Sequence, residues 1–363
     1  MASNARRFRE STSADPESPA PGATHAYDAL ILVAFGGPER PEDVVPFLEN
    51  ITRGRPVPRD RLLEVAAHYE RFGGVSPINA QMRTLLTSLI AELNAHGPPL
   101  AVYWGNRNWH PMLTDVVAQM ADDGVRRALA LVTSPFGSYS GCRQYVEDIQ
   151  GACAAVGPTA PKIEKLRLFY NHPGYIEAVA DRVSAALEDI AEELRSTHRL
   201  VFSAHSVPVG MAASSPYQKQ LCEACALVAE RVGRESWDLV YQSRSGPPEQ
   251  PWLEPSIDAG LRRIGAEGTH RGVLLVPLGF LSDNMEVVYD LDVEAAELCD
   301  ALGLSFVRAA TVGNHPRLVR MIRELIVERF DPAASREALG PSGPWPDCCP
   351  DGCCAARAQG VRS

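Results

Sequence analysis

The stretch DALILVAFGGP, residues 28–38, joins an apolar run to a glycine-rich turn. Six similar short runs follow along the chain, separated by segments whose apolar residues have helical spacing. These runs are LAVYWG (100–105), RALALVTS (127–134), RLVFSAHS (199–206), WDLVYQS (237–243), GVLLVPLGF (272–280) and LSFVRA (304–309). Continuous apolar strands that alternate with helices are typical of buried parallel sheets, so the sequence predicts an α/β fold. The number of units fits two doubly wound sheets.

The length of 363 residues is too great for one ordinary domain and sufficient for two. We place a first lobe at residues 27–165 and a second at residues 166–332. Residues 1–26 are rich in Ser, Pro, Ala and Glu, which predicts a disordered leader. Residues 333–363 form a tail that ends in a group of cysteines.

Composition excludes several classes of protein. The chain carries 35 basic and 45 acidic residues, a net charge of −10, which argues against nucleic-acid binding because phosphate contacts need a basic surface. No apolar run approaches the roughly 18 residues that span a bilayer, and the N-terminus lacks the apolar core of a secretory signal. We therefore expect a cytoplasmic, monomeric protein without stable membrane insertion.

His205 ends a predicted strand in the segment FSAHSVP, residues 202–208. In open α/β sheets ligands bind beyond the carboxyl ends of the strands, so this is a favourable place for a functional residue. One interpretation is a core histidine that is hydrogen-bonded to a backbone carbonyl. The other is an imidazole that takes a proton or a metal ion near neutral pH.

A stripe of acidic residues follows the strand at residues 272–280. If Ser282 is the N-cap of a helix, Asp283, Glu286, Asp290 and Glu294 fall within about 80° of one helix face. No basic residue stands four positions after an acid within 281–300, so the stripe lacks the usual pairing of a surface helix. It is either a solvated face or a path along which a hard divalent cation or protons pass.

Four of the nine cysteines crowd into the last sixteen residues, at Cys348, Cys349, Cys353 and Cys354. An odd total without an export signal argues against a disulfide framework. Thiolates bind zinc or iron–sulfur clusters, so this density indicates metal or cluster ligation. Because Cys353 and Cys354 are adjacent, closing a site from the tail alone is sterically awkward. Cys142, at a strand-to-helix turn, is the leading candidate for a ligand from the body of the protein.

Taken in order, eight motifs resemble the ferrochelatase family, specifically the soluble actinobacterial type that acts on coproporphyrin III and carries a C-terminal [2Fe–2S] cluster. The likeness covers roughly residues 27–330. The motifs are LVAFGGPE, FLENITRGR, FGGVSPIN, YWGNRNWHP, SYSGCRQYVEDI, SAHSVP, YQSRSGPPEQPWLEP and PLGFLSDNMEVVYDLD. The resemblance implies two Rossmann-like lobes with a porphyrin cleft between them.

The resemblance also implies roles for the candidate site residues. His205 would lie beneath the macrocycle opposite Glu286, the two serving as iron ligands or handling the pyrrole protons. Asp290 and Glu294 would continue an acidic path along the helix, and Asp283 joins them as a candidate for the same relay.

Further positions match residues that line the porphyrin cleft of the family. Ser76 and Tyr145 match positions that contact coproporphyrin, and Arg107 matches a basic residue close to the cleft. Phe35 replaces a tyrosine that reaches the metal in some relatives, and a phenyl ring cannot ligate. Asn284 stands where many relatives have a histidine, and an amide cannot take a proton.

For the cluster, the resemblance favours Cys142, Cys349, Cys353 and Cys354 as ligands, with Cys348 as a competing ligand. The implied function is insertion of ferrous iron into coproporphyrin III, giving coprohaem and releasing two protons. Alternatives are a protoporphyrin IX ferrochelatase or a cobalt or nickel tetrapyrrole chelatase. A haem-binding or iron–sulfur redox-sensing protein without turnover is an alternative from another class.

Overall fold

A computed structural model describes residues 27–54, 57–246, 249–349 and 352–354. The predicted leader at residues 1–26 lies outside the described residues, as does the end of the tail from residue 355. Among the helices of the described ranges, none combines the length and the apolar character needed to cross a membrane.

The first half of the described chain builds a four-stranded parallel sheet with the order β2-β1-β3-β4. Its strands are β1 (Ala29–Ala34), β2 (Ala101–Asn106), β3 (Arg127–Val132) and β4 (Lys162–Lys165). Its helices are α1 (Val44–Ile51), α2 (Arg59–Glu70), α3 (Ile78–His96), α4 (Leu113–Asp122) and α5 (Gln144–Val156). All six residues of β1 are buried, because layers of helices cover both faces of the sheet.

The second half repeats this arrangement with the order β6-β5-β7-β8. Its strands are β5 (His198–His205), β6 (Trp237–Gln242), β7 (Gly272–Val276) and β8 (Ser305–Arg308). Its helices are α6 (Pro173–Glu188), α7 (Val209–Ala213), α8 (Tyr217–Arg231), α9 (Ile257–Glu267), α10 (Met285–Tyr289), α11 (Ala296–Ala301) and α12 (Pro316–Phe330). Two doubly wound parallel sheets confirm the predicted fold class.

The two halves share one hydrophobic core between the sheets. Leu30 and Leu32 of β1 belong to the same buried cluster as Phe202 of β5. Helix α12 packs against both α6 and α3, and the Arg323 Nε atom donates a hydrogen bond to the Gly97 carbonyl at 2.9 Å. The last helix therefore returns to the first half. The lobe boundary at residues 165/166 stays a prediction, with one sheet on each side of it.

Helix α10 does not begin where the sequence pattern predicted. The N-cap is Asn284, whose side-chain oxygen accepts a hydrogen bond from the Val287 amide at 2.8 Å, and Ser282 lies outside the helix. The helix is then interrupted by a π-helical turn at Asp290–Ala295 before α11 begins. The prediction of one regular helix that starts at Ser282 was wrong, because a better cap occurs two residues later and the wide turn breaks the 3.6-residue period.

Each sheet reverses its strand order between its first and third strands, at β1/β3 and at β5/β7. Open parallel sheets bind ligands at such switch points, beyond the carboxyl ends of the strands. Residues 35–38 follow β1, and His205 is the last residue of β5. The segment after β7 leads to Glu286, so both sheets direct their loops toward the candidate site.

Candidate active site

His205 and Glu286 meet at the switch point of the second sheet. The His205 Nε2 atom lies 3.7 Å from a Glu286 carboxylate oxygen. On the other side of the ring, the Ser206 carbonyl is 2.5 Å from Nδ1. Because a carbonyl only accepts hydrogen bonds, Nδ1 carries a proton, and Nε2 is left to gain or lose one. The imidazole is 36% exposed, so its reactive nitrogen is accessible from the cleft.

The surroundings of His205 favour its protonated form. Burial disfavours the imidazolium, but the nearby Glu286 carboxylate, the hydrogen bond to it, the Ser206 carbonyl and the Asp290 carboxylate outweigh burial and raise the pKa of His205 to about 9. At neutral pH His205 is therefore an imidazolium beside Glu286. Any change that removes negative charge from Glu286 lowers the pKa of His205 and frees Nε2 to act as a base.

Asp290 is the first residue of the π-helical turn and is half-buried. The Ser243 hydroxyl donates a hydrogen bond to its carboxylate at 2.5 Å, and the Gln242 amide donates another at 3.2 Å. Burial, opposed by these hydrogen bonds and reinforced by Glu286 and Glu294, raises the pKa of Asp290 to about 7. This carboxyl group therefore exchanges protons near neutral pH. The charges of both glutamates contribute to this raised pKa of Asp290.

Ser243 holds its hydroxyl on Asp290 from a left-handed backbone conformation, with a φ of +59°. A residue other than glycine is strained in this region, and such strain persists where the surroundings determine the conformation and often at functional sites. Ser243 directly follows β6, so it stands at the carboxyl end of a strand, where parallel sheets bind ligands.

Asp283 is held by partners from other parts of the fold, and its role in the relay stays a prediction. One of its carboxylate oxygens lies 3.2 Å from an Arg308 nitrogen, and the other accepts a hydrogen bond from the Gln81 amide at 3.1 Å. Arg308 also pairs with Asp292. The basic partners of this segment come from β8 and not from the helix itself, so a search for bases at i+4 missed them.

Helix α2 packs against α10 from the side of the first sheet. The His68 ring stacks on the Tyr289 ring with centroids 3.7 Å apart, and Met285 enters the buried cluster formed by α1 and α2. Burial, with a smaller contribution from Glu286, raises the pKa of the Tyr69 hydroxyl. These contacts place α2 directly beside Glu286, which no sequence signal indicated.

Phe35 and Ser76 stand on the wall contributed by the first sheet. Phe35 is 36% exposed and meets Phe47 edge-to-face at 6.3 Å, while Ser76 is buried. The loops approach closely here, because a Cβ atom at Gly37 would lie 2.8 Å from the Ser76 side chain. The exposed phenyl ring gives this wall an apolar surface that suits a flat ligand.

Tyr145 and Arg107 contact each other on the same lobe. The Arg107 guanidinium lies 4.8 Å from the centre of the Tyr145 ring, and its Nε atom is 2.8 Å from an Asp148 carboxylate oxygen. Tyr145 is buried. The charge of Arg107 is thus already paired within the protein, so the structure does not present it as a free cation for an acidic ligand.

Four of the nine cysteines converge where the tail meets the body. Cys142 lies in a second π-helical turn, Tyr139–Arg143, which precedes α5. Its thiol is hydrogen-bonded to Cys349, and this bond is the main reason that the pKa of Cys349 falls to about 5. The Cys353 and Cys354 sulfurs are 3.6 Å apart, and Cys353 also contacts Cys349. Cys348 is exposed.

Lys165, the last residue of β4, faces these four thiols and lowers the pKa of each, although it is not the largest influence on any of them. Its ammonium is anchored on the Leu166 carbonyl at 2.8 Å. Within the described residues no group of three or more His, Cys, Asp or Glu side chains has the arrangement of a site for one metal ion.

Residues 331–349, here called the strap, carry Cys349 to Cys142. The buried Arg167 side chain pairs with Glu328 at 2.7 Å and donates a hydrogen bond to the Glu337 carbonyl at 2.9 Å. The Asn171 amide donates hydrogen bonds to the Leu339 and Gly343 carbonyls at 3.1 and 2.9 Å. The Ser342 hydroxyl donates one to Glu223 on α8 at 2.6 Å. The strap is therefore fixed by specific contacts along its length.

Comparisons with known proteins agree with this geometry. The family model described as ferrochelatase matches residues 27–330. A ferrochelatase from Rhodopirellula baltica is 51% identical over 328 residues, which cover 90% of this chain and 93% of that protein. A coproporphyrin III ferrochelatase from Nocardia farcinica is 52% identical over 348 residues, with 92% and 98% of the two chains covered.

The fold has a counterpart among solved structures. SirB from Bacillus subtilis, solved with Fe3+, superimposes with a TM-score of 0.53 at 11% identity, covering 86% of this chain and 99% of that one. At this identity the likeness supports the two-lobed chelatase fold alone. The sequence matches carry the assignment further, and the chain belongs to the ferrochelatase family.

Proposed function

We propose that this chain inserts ferrous iron into coproporphyrin III in haem biosynthesis, giving coprohaem and two protons. The observation that carries the proposal is the His205–Glu286 pair at the switch point of the second sheet, with the proton-exchanging Asp290 beside it. Relatives named coproporphyrin III ferrochelatase, from Nocardia farcinica and Streptomyces griseus, are 52% and 48% identical to this chain over more than 90% of its length.

The geometry suggests how metal arrival and proton removal are coupled. Insertion replaces two pyrrole protons by one Fe²⁺ ion, so the site must supply bases while it accepts a cation. A ferrous ion that approaches Glu286, Asp290 and Glu294 neutralises the charge that holds His205 protonated. Nε2 then releases its proton to solvent in the cleft and becomes available to accept one from a pyrrole nitrogen. Once the iron has left the carboxylates for the ring, Asp290 can accept the second pyrrole proton, because its pKa is about 7.

The porphyrin occupies the cleft between the walls in this proposal. Phe35 provides an apolar contact for the macrocycle, with Ser76 and Tyr145 on the same wall. Arg107 supports the Tyr145 ring and does not bind a propionate itself, because its charge is paired with Asp148. A narrow cleft allows binding energy from the whole macrocycle to bend the ring and present its nitrogen lone pairs.

We further propose that Cys142, Cys349, Cys353 and Cys354 hold a [2Fe–2S] cluster. A cluster of this type takes four cysteine thiolates, and four thiols converge at this place. Lys165 supplies a positive charge that offsets the negative charge of the thiolates. When bound, such a cluster supplies a one-electron redox centre. We leave Cys348 out of the proposed set because it is exposed, whereas Cys142 and Cys354 are buried.

Anaerobic incubation with Fe²⁺ and either coproporphyrin III or protoporphyrin IX, followed by absorbance, tests the proposed activity. Glu286→Gln should lower the metallation rate at least about 100-fold, since it removes a charge that acts on both the metal and His205. Glu297→Gln is the matched control, because Glu297 lies on α11 and pairs only with Arg71 at 3.6 Å among the described residues. It should retain the wild-type rate.

Each other outcome of this experiment has a definite meaning. Metallation of neither porphyrin by the unmodified protein overturns the proposed activity, and porphyrin binding without turnover favours a carrier. Faster insertion of cobalt or nickel indicates a different chelatase, and preference for protoporphyrin IX overturns the substrate alone. A cytoplasmic location and a monomeric state stay predictions from the sequence, which cell fractionation and sedimentation would test.

A further inference from the structure

Gln81 connects the two halves of the molecule at the edge of the cleft. Its side-chain amide donates a hydrogen bond to the Asp283 carboxylate at 3.1 Å, and its side-chain oxygen accepts one from the Asp283 backbone amide at 2.9 Å. Gln81 lies in the first turn of α3, and Asp283 directly precedes the N-cap of α10. The two residues thus form a reciprocal pair between the first half of the chain and the second.

Asp283 transmits its position to Glu286 through a short and fixed segment. Its remaining carboxylate oxygen is held by Arg308 at 3.2 Å. The next residue, Asn284, caps α10 through its bond to Val287, and Glu286 stands in the first turn of that helix. A displacement of Asp283 would therefore displace Glu286 by a similar amount, because only two residues separate them.

The same turn of α3 also holds the opposite wall of the cleft. The buried Asn79 amide donates hydrogen bonds to the Gly37 and His110 carbonyls, each at 3.2 Å, and its side-chain oxygen accepts one from Asn106 at 3.2 Å. These contacts fix the loops that follow β1 and β2. One turn of helix thus ties the porphyrin wall of the first lobe to the segment that carries Glu286.

We propose that Gln81 is a positioning residue that sets the distance between the first-lobe wall and Glu286, acting through Asp283. The inference rests on the proposed function, because Glu286 must act on the inserted metal for this distance to matter. A misplacement of about 1 Å costs up to about 100-fold in rate when reacting groups must be aligned. Asp283 in this view serves geometry and carries neither protons nor metal.

A swap of the two side chains separates these roles. Gln81→Glu places two carboxylates opposite each other, and Asp283→Asn leaves one amide to satisfy both Gln81 and Arg308. In the double variant the carboxylate introduced at position 81 accepts hydrogen bonds from the side-chain amide and the backbone N–H at position 283. The oxygen of that new amide then faces Arg308.

We expect each single variant to lose about 10- to 100-fold in kcat for iron insertion, with little change in KM for coproporphyrin III. The double variant should return to within about threefold of the wild-type kcat, because it restores a reciprocal pair of hydrogen bonds between the two positions.

A matched control is available in the same lobe. Gln119 donates a hydrogen bond to the Asp123 carboxylate at 3.1 Å at the end of α4, away from the cleft. Gln119→Glu creates the same kind of carboxylate pair away from the cleft, and it should therefore leave kcat unchanged. Gln81→Asn, which keeps the amide but shortens the side chain, provides a milder variant if Gln81→Glu does not fold, as thermal midpoints would show.

The outcomes distinguish this inference from the function on which it rests. Wild-type kcat in the folded Gln81 variants overturns it. A folded double variant that stays as slow as Asp283→Asn also overturns it, because a carboxylate at position 283 would then be needed for the chemistry. Failure of the unmodified protein to metallate coproporphyrin III overturns the proposed function instead.

Discussion

Replacing Asp290 by asparagine should stabilise the protein while it slows metallation. Asp290 is half-buried at the start of the π-helical turn, and its carboxyl group receives hydrogen bonds from Ser243 and Gln242, under the influence of Glu286 and Glu294. An amide has nearly the same shape and keeps both contacts, but it carries no charge. The substitution therefore removes an unfavourable buried charge and, with it, a proton acceptor of the site.

The magnitude follows from the two pKa values of Asp290. The folded protein raises the pKa from 3.8 to about 7, so the fold disfavours the ionised form. This penalty is absent below pH 3.8, grows as the pH rises toward 7, and is complete above it, where it amounts to about 4 kcal/mol. The hydrogen bonds from Ser243 and Gln242 already contribute to this pKa, so they are not subtracted again. The expected gain at pH 8 is therefore about 4 kcal/mol.

Thermal midpoints of protein treated with a chelator of free iron provide the assay. For a chain of this length the gain corresponds to a rise of about 5 °C at pH 8 and only about 2 °C at pH 5. Asp292→Asn serves as the control, because Asp292 pairs with Arg308 and its loss should not stabilise. A midpoint of Asp290→Asn that is unchanged or lower at pH 8, or a gain that is equal at both pH values, would refute the reasoning. Metallation should fall at least about tenfold in the same variant.

Two further predictions concern the cluster and the helix cap. Purified protein should be brown with about two irons per chain. Cys353→Ser should be colourless, and Cys348→Ser should keep the colour. Zinc in place of iron, or loss of colour in Cys348→Ser, would contradict the ligand set. Asn284→Ala should lower the free energy of unfolding by about 1 kcal/mol and the thermal midpoint by about 1 °C, because it removes the cap on the Val287 amide. Asn284→Asp should keep the midpoint. Calorimetry that finds equal midpoints for both variants would show that the cap contributes nothing.

The strands that organise the fold were predictable because they are buried on both faces. The runs at β1 and β7 are apolar throughout and those at β3 and β5 are largely so, as strands covered on both faces require. Strand β4, with the sequence KIEK, was not predicted. It is a short edge strand whose side chains are exposed or half-buried, so burial imposes no apolar pattern on it.

The site was predictable where its residues follow strands, and less so where pairing is long-range. His205 and Glu286 were identified, and the structure brings them within 3.7 Å. The partners of Asp283 and Arg107 were not, because Gln81, Arg308 and Asp148 are brought close only by the tertiary fold. Local rules such as i,i+4 pairing cannot detect such contacts.

The strap gives the position of Cys349 an experimental use that is separate from turnover. It docks on a surface made by Arg167, Asn171 and Glu223, all of which belong to the second half of the chain. Cys142, which the strap brings Cys349 to contact, belongs to the first half of the chain. If the four cysteines hold a cluster, its visible absorbance reports the fraction of molecules in which both halves of the chain have folded. Expression, refolding and unfolding could then be followed by colour alone, in inactive variants as readily as in active ones.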